Sequence, residues 1–254
     1  VTLVARPIPV GSAVADTSAK LSLSEARALW AAGERTIIRY VFFGPARPGD
    51  IDAAEIAMLT GLGFTVLLVQ HVRNPGWVGS TETGEADAGW AMKNAAAAGY
   101  APSLGLYLGL DLEGVGRGGP AHAAAWCARL VGYAALVYVG YASGMTTATL
   151  DALEGDPIWA DYPVRFWADY AALSQRPTPS KGWTLHQQAQ TTVAGIGIDR
   201  DTVMQGGLCG LADGDVNVED PDPSEAPTRP SLIPPPVPFH SVSTVPPPPD
   251  DEPA

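Results

Sequence analysis

The decapeptide LGLYLGLDLE at residues 104–113 decides how this chain is read. Side chains of an extended strand alternate between two faces, so Leu104, Leu106, Leu108, Leu110 and Leu112 share one side. Gly105, Tyr107, Gly109, Asp111 and Glu113 share the other. The leucine face suits packing beneath helices, while the opposite face carries a ring, two gaps and then two acids. In a barrel of parallel strands the C-terminal strand ends surround the active site. Two carboxylates placed there and partly desolvated cannot both ionise freely, so one pKa is raised. A protonated acid beside an ionised partner is what hydrolysis of a glycosidic bond requires. An exposed acidic strand end without chemistry would show the same spacing.

Strand and helix signals alternate on both sides of this segment. Residues 10–16 read as a first strand, and Ser22-Leu23-Ser24-Glu25 has capping-box spacing for a helix that Gly33 stops. Residues 36–42 (TIIRYVF) read as a second strand, and Asp50 is placed to cap a helix through Leu62. Residues 64–70 form a buried-strand run, and an Ala-rich helix covers about 85–98 before Gly99. Pro120 and Gly132 bracket a fourth helix, and residues 134–141 supply a fifth strand. Further on the rhythm weakens, with short strands expected at 164–168, 183–188 and 195–199. The last two lie too close for a parallel crossover, so an antiparallel hairpin is expected between them. The fold class is therefore α/β: an irregular TIM-type (β/α) barrel of about eight strands, with helices mainly in the first five units.

The domain is expected to span residues 1–212. From Asp213 to Ala254 the composition changes: this segment holds 13 of the 24 prolines and nine acids against Arg229 alone. Eight of the chain's twelve net negative charges thus lie in 213–254, leaving a net of −4 for 1–212. Such a segment buries too little apolar surface to offset its ordering entropy, and a disordered, Pro/Asp/Glu-rich tail is expected.

Several function classes lose support. Residues 1–212 show no basic patch, so nucleic acid is not an expected partner. No apolar run approaches a membrane span, and no signal peptide is visible. Cys127 and Cys209 read as two buried small side chains, with a disulfide as the alternative. His71, His122, His186 and His240 are scattered, so neither a metal nor any other cofactor is expected. Gly114 to Gly119 matches G-x-G-x-x-G, but the acid expected at the end of the next strand is missing, and a loop beside an active site is the better reading.

Other strand ends carry acids as well. Asp16 closes the first strand and Asp199 the last, with Asp201 following. Each alone also serves as a cap or turn residue, but three acidic strand ends would converge on one opening. Tyr40, Tyr107, Tyr138, Trp167, Tyr170 and Trp183 lie on or just after strands, where rings stack on sugar faces or fill a core.

Taken in order, these residues resemble a known family. Ala15-Asp16-Thr17-Ser18 is similar to an Asp-x-Ser opening, and Ile38-Arg39-Tyr40 to an Arg-Tyr second strand. Gly84 to Ala88 is similar to a Gly-x-x-Asp-Ala helix start, and Asp111-Leu112-Glu113 to an Asp-x-Glu core. Val139-Gly140-Tyr141, Phe166 to Tyr170, Leu185-His186-Gln187 and Gly197-Ile198-Asp199 match the later strand ends. Together they resemble the bacterial glycoside-hydrolase-like domains related to the family 25 lysozymes, nearest the branch defined from a mycobacterial exported protein. One departure is that Lys20 or Leu21 stands where the lysozymes carry Gln.

The resemblance implies Glu113 as general acid and Asp111 as the group assisting the substrate's N-acetyl function. It places Asp16, Asp199 and Gln187 around the site. The implied substrate is a peptidoglycan-like polysaccharide cut by substrate-assisted chemistry, and a monomer in the cell envelope or beyond the membrane is expected. The alternative is a catalytically inactive barrel that binds cell-wall glycan.

Overall fold

The computed structural model describes residues 2–140, 143–154, 165–168, 179–188 and 190–216. Tyr170 and nearly all of the Pro-rich segment lie outside the described residues.

The chain opens with β1 (Leu3–Pro7) and β2 (Ala13–Asp16). Four helix-linked units follow: α1 (Leu23–Ala31) to β3 (Thr36–Val41), α2 (Ala53–Gly61) to β4 (Thr65–Gln70), α3 (Thr81–Ala97) to β5 (Tyr107–Asp111), and α4 (Gly119–Arg129) to β6 (Ala134–Val139). After α5 (Thr147–Glu154) come β7 (Arg165–Ala168), β8 (Leu185–Gln187), β9 (Thr191–Val193), β10 (Ile196–Val203) and β11 (Cys209–Asp213).

Eight of these strands close into a mixed barrel in the order β4-β3-β2-β10-β8-β7-β6-β5, with β5 returning to β4. The pairs from β2 to β8 are parallel, and β10 alone runs against both of its neighbours. β9 and β10 form a hairpin whose two turn residues, Ala194 and Gly195, both have positive φ (52° and 83°), as a tight turn matching strand twist requires. β1 and β11 pair antiparallel outside the ring, and β11 meets β4 at Val66, before β5 has begun.

The leucine face of β5 behaves as its alternation dictates. Leu106, Leu108, Leu110 and Leu112 join Val66, Leu68, Val137 and Phe166 in a layer beneath helix residues such as Leu29, Leu59, Ala91 and Trp126. Tyr107 instead joins Val14, Ile38, Leu67, Val69, Leu136 and Leu185 inside the barrel. Gly109 is required there, because a Cβ on it would lie 2.8 Å from Val69 Cγ2.

Helix starts follow local chemistry. The Ser22 side chain and Glu25 form the expected capping box. Asp52, not Asp50, caps α2 by accepting from Glu55 N at 2.9 Å. Asp50 is buried two residues earlier, where it accepts from Arg47 N and faces His71. α3 begins at Thr81 rather than near 85, because Ser80 and Thr83 cap each other. Cys127 and Cys209 are both free thiols, so the disulfide alternative is not realised.

Candidate active site

Every parallel strand except β4 delivers an inward residue to one mouth of the barrel. Asp16 ends β2, Tyr40 lies near the end of β3, Asp111 ends β5 and Gln187 ends β8. Tyr138 on β6 stands level with Asp111, and Trp167 on β7 stands level with Tyr138. β10 runs the other way, so it presents its first half, where Asp199 sits opposite Asp16. Glu113 follows β5, and with it these residues line a cleft of about 440 Å³.

Asp199 was expected to close its strand, but β10 continues for four residues beyond it. The reversal of direction makes that placement workable. An acid at the C-terminal end of an antiparallel strand would face the opposite mouth.

Asp16 is buried at 2% exposure, accepts the Tyr40 hydroxyl on Oδ2 at 2.9 Å, and leaves Oδ1 without a hydrogen-bond partner among the described residues. Burial pushes its pKa up from 3.8 to about 8; the Tyr40 bond opposes that rise, the Asp199 charge adds to it and Arg39 opposes it. Asp111 accepts Glu113 N on Oδ1 at 2.8 Å. Burial holds Asp111 well above the usual carboxylate range despite that bond, and the charges of Glu113 and Asp16 push the same way. Glu113 itself is half-buried at the rim of the cleft.

The rings are held as firmly as the acids. Tyr138 donates its hydroxyl to Gln187 Oε1 at 2.6 Å, and its ring lies 4.5 Å from that of Trp167. Trp167 Nε1 donates to Asp201 Oδ1 at 2.6 Å. Asp201 lies two residues past Asp199 on the same face, one layer deeper, with Oδ2 buried and without a hydrogen-bond partner among the described residues. Burial raises its pKa well above the ordinary value, and the Asp16 charge adds to the rise. The period-two alternation of β10 was the available signal for this third buried acid.

Surrounding groups fix the acids in place. Arg39 points out of the barrel, fully buried, and its Nε donates to Glu55 Oε1 at 2.8 Å. Its other nitrogens donate to the carbonyls of Thr17 and Gly49, tying the loops after β2 and β3 to α2. Gly140 leaves room for Glu113, since a Cβ there would sit 2.6 Å from Glu113 Cβ.

The glycine run after β5 has a packing role. Gly76 N donates to Gly114 O, Gly116 N to Trp77 O and Gly79 N to Arg117 O, so the loops after β4 and β5 zip together beside the cleft. A Cβ on Gly118 would lie 2.0 Å from Gly79 O. Trp77, in the first of these loops, donates Nε1 to the Glu113 carbonyl at 3.2 Å. It sits outside any strand, so periodicity gave no signal for it.

Two expected rings lie elsewhere. Tyr107 shares the face of Asp111 but starts β5, roughly 13 Å lower at the rise of a strand, and is buried in the barrel interior. Trp183 packs in the layer outside the strands. Among the described residues no group of three or more His, Cys, Asp or Glu is arranged to hold a metal ion, and no helix is long and apolar enough to cross a membrane.

A closed mixed barrel with acids and rings gathered at one mouth defines a glycoside hydrolase-like domain. The chain belongs to the Rv2525c-like, glycoside hydrolase-like domain family, whose model matches residues 27–203. Among curated proteins no relative matches the sequence. Solved structures share the fold. The Mycobacterium tuberculosis Tat-secreted protein Rv2525c, in complex with L-tartrate, aligns with a TM-score of 0.57 at 18% identity over 78% of this chain and 97% of its own. An uncharacterized B. stearothermophilus protein aligns at 0.59 and 15% identity, covering 76% of this chain and 96% of its own. A muramidase from Trichobolus zukalii aligns at 0.53 and 18% identity, covering 78% and 95%.

Proposed function

We propose that the domain is a glycosidase acting on peptidoglycan or a related N-acetylated glycan, with Glu113 as general acid and Asp111 as its partner. The observation that carries the reading is the meeting of Asp16, Asp111, Glu113 and Asp199 in one cleft beside Tyr40, Tyr138, Trp167 and Gln187. Shared fold with a muramidase supports the substrate class.

In this reading Glu113 at the rim protonates the leaving glycosidic oxygen as the C–O bond breaks. The carbonyl oxygen of the substrate's own 2-acetamido group attacks the anomeric carbon from the other face, giving an oxazolinium ion. Asp111, oriented by the Glu113 amide, accepts the acetamido N–H as positive charge grows there. Glu113, now ionised, takes a proton from the water that opens the ring. Net retention follows, and Glu113 ends protonated as it began. Tyr138 and Trp167, buried against each other, form a rigid wall of the cleft rather than free stacking faces. Release of reducing ends from purified peptidoglycan tests the proposal.

A second reading rests on the buried acids. Carboxyls held neutral, as burial favours for Asp16 and Asp111, make good hydrogen-bonding partners for sugar hydroxyls, and a barrel that binds glycan without cutting it would use the same cleft. An extracytoplasmic location accords with either reading, given that the M. tuberculosis relative is Tat-secreted.

A further inference from the structure

Next to the acidic cleft lies a second, larger depression of opposite character. It has about 920 Å³ of open volume, and the loops after β3 and β4 bring Phe42, Phe43, Arg47, His71, Arg73 and Trp77 to its walls. We propose that this groove is a subsite for a carboxylate displayed by the same glycan chain that enters the cleft, with Arg47 as the group that reads it. The inference rests on the glycan reading above and extends it to acidic glycans.

Three observations carry it. The first is arginine geometry. The Arg47 guanidinium lies 3.1 Å from the Phe42 ring centroid, and that of Arg73 lies 4.0 Å from the Phe43 centroid, the two rings being 4.0 Å apart. Stacking covers a guanidinium's face and leaves its in-plane N–H fork for a two-pronged bond to a carboxylate. The second is charge accounting. Arg73 is already paired with Asp87, by 2.5 and 3.2 Å bonds. Arg47 is exposed and has no carboxylate partner among the described residues. An unmatched cation on a domain of net negative charge, beside a cleft of four acids, favours an anion at that spot and nowhere deeper.

The third is continuity with the cleft. Tyr40, whose hydroxyl bonds Asp16, packs its ring 4.7 Å from that of His71 in the groove. At the other side Trp77 of the groove donates to the Glu113 carbonyl. One oligosaccharide can therefore engage both depressions, with a neutral sugar over the acids and an acidic substituent over Arg47.

Calorimetric titration of the full chain at low salt tests this. The probes are a β-1,4 tetrasaccharide of N-acetylglucosamine and N-acetylmuramic acid with free carboxyls, its methyl ester, and Arg47→Gln as the variant. The expected result is about tenfold tighter binding of the free acid than of the ester, one charge-assisted fork's worth. Arg47→Gln should abolish that preference. Equal binding of acid and ester, or a preference that survives Arg47→Gln, overturns the subsite while leaving the glycan reading intact. Failure of both sugars to bind overturns the glycan reading and the subsite with it.

Discussion

The Tyr40 hydroxyl donates to Asp16 Oδ2 at 2.9 Å, joining neighbouring strand ends at the centre of the cleft. This bond is what restrains the upward pull of burial on the Asp16 carboxyl, whose pKa still reaches about 8. Tyr40→Phe should therefore move the Asp16 titration further up. Carbon-detected NMR titration of the carboxyl would show it, and an unchanged or lowered midpoint would contradict the assignment of that bond.

Asp16 binds its proton more tightly in the folded chain (about 8) than at the ordinary 3.8. Between those values the native state holds the extra proton, so the contribution to stability is complete below about pH 4 and is lost as pH rises through 8. Asp201 is shifted in the same direction. His122, lowered from 6.5 to about 4, works the opposite way, adding stability as pH rises through that window. Comparison with a variant isolates one group. Asp201→Asn keeps an acceptor for Trp167 but cannot ionise. Relative to wild type it should gain stability as pH climbs from 5 to 8, at up to about 1.4 kcal/mol per unit. Thermal melts at both pH values check it; a constant difference would show that Asp201 ionises as readily folded as unfolded.

Arg39→Ala leaves Glu55 buried without its partner and releases the loops that end at Thr17 and Gly49. A loss of roughly 3–5 kcal/mol is expected from urea unfolding. A loss under about 1 kcal/mol would mean that the pair carries little of the local order.

Gly140→Ala drives a Cβ to within 2.6 Å of Glu113 Cβ. The barrel should stay folded at a cost of about 1–3 kcal/mol. Glycan hydrolysis or binding should fall at least tenfold, since Glu113 must move. Unchanged function in a folded variant would detach Glu113 from the site.

Much of this architecture is legible in the sequence where period and caps agree. The units from β2 through β6 show alternation, capping residues and terminal glycines within a few residues of one another, and each forms near where the pattern puts it, with α3 starting early at Thr81 and β5 late at Tyr107. β1 and β11 escaped because their pairing is with each other across the whole domain, Leu3 opposite Asp213. Neither carries the full inward face that marks a barrel strand. α5 is short and follows a Gly/Ser/Thr-rich stretch that reads as loop.

The candidate site divides along the same line. Asp16, Asp111 and Asp199 lie at inward strand positions, and alternation suffices to bring them to one mouth. Depth is harder to read. Tyr107 and Asp201 share faces with cleft residues yet sit deeper in the barrel, because period two fixes a side and not a height. The arginine groove is invisible at that level, since Arg47, Arg73 and Trp77 come from loops whose packing is set by distant partners.

The most direct test of the central claim is release of reducing ends from purified peptidoglycan by wild type beside Glu113→Gln, across pH 4–8. The account predicts steady release by wild type and a fall of at least a hundredfold in the variant, with circular dichroism unchanged. Absence of release by a folded wild type at every pH would contradict the hydrolase, and release undiminished by Glu113→Gln would contradict Glu113 as its acid.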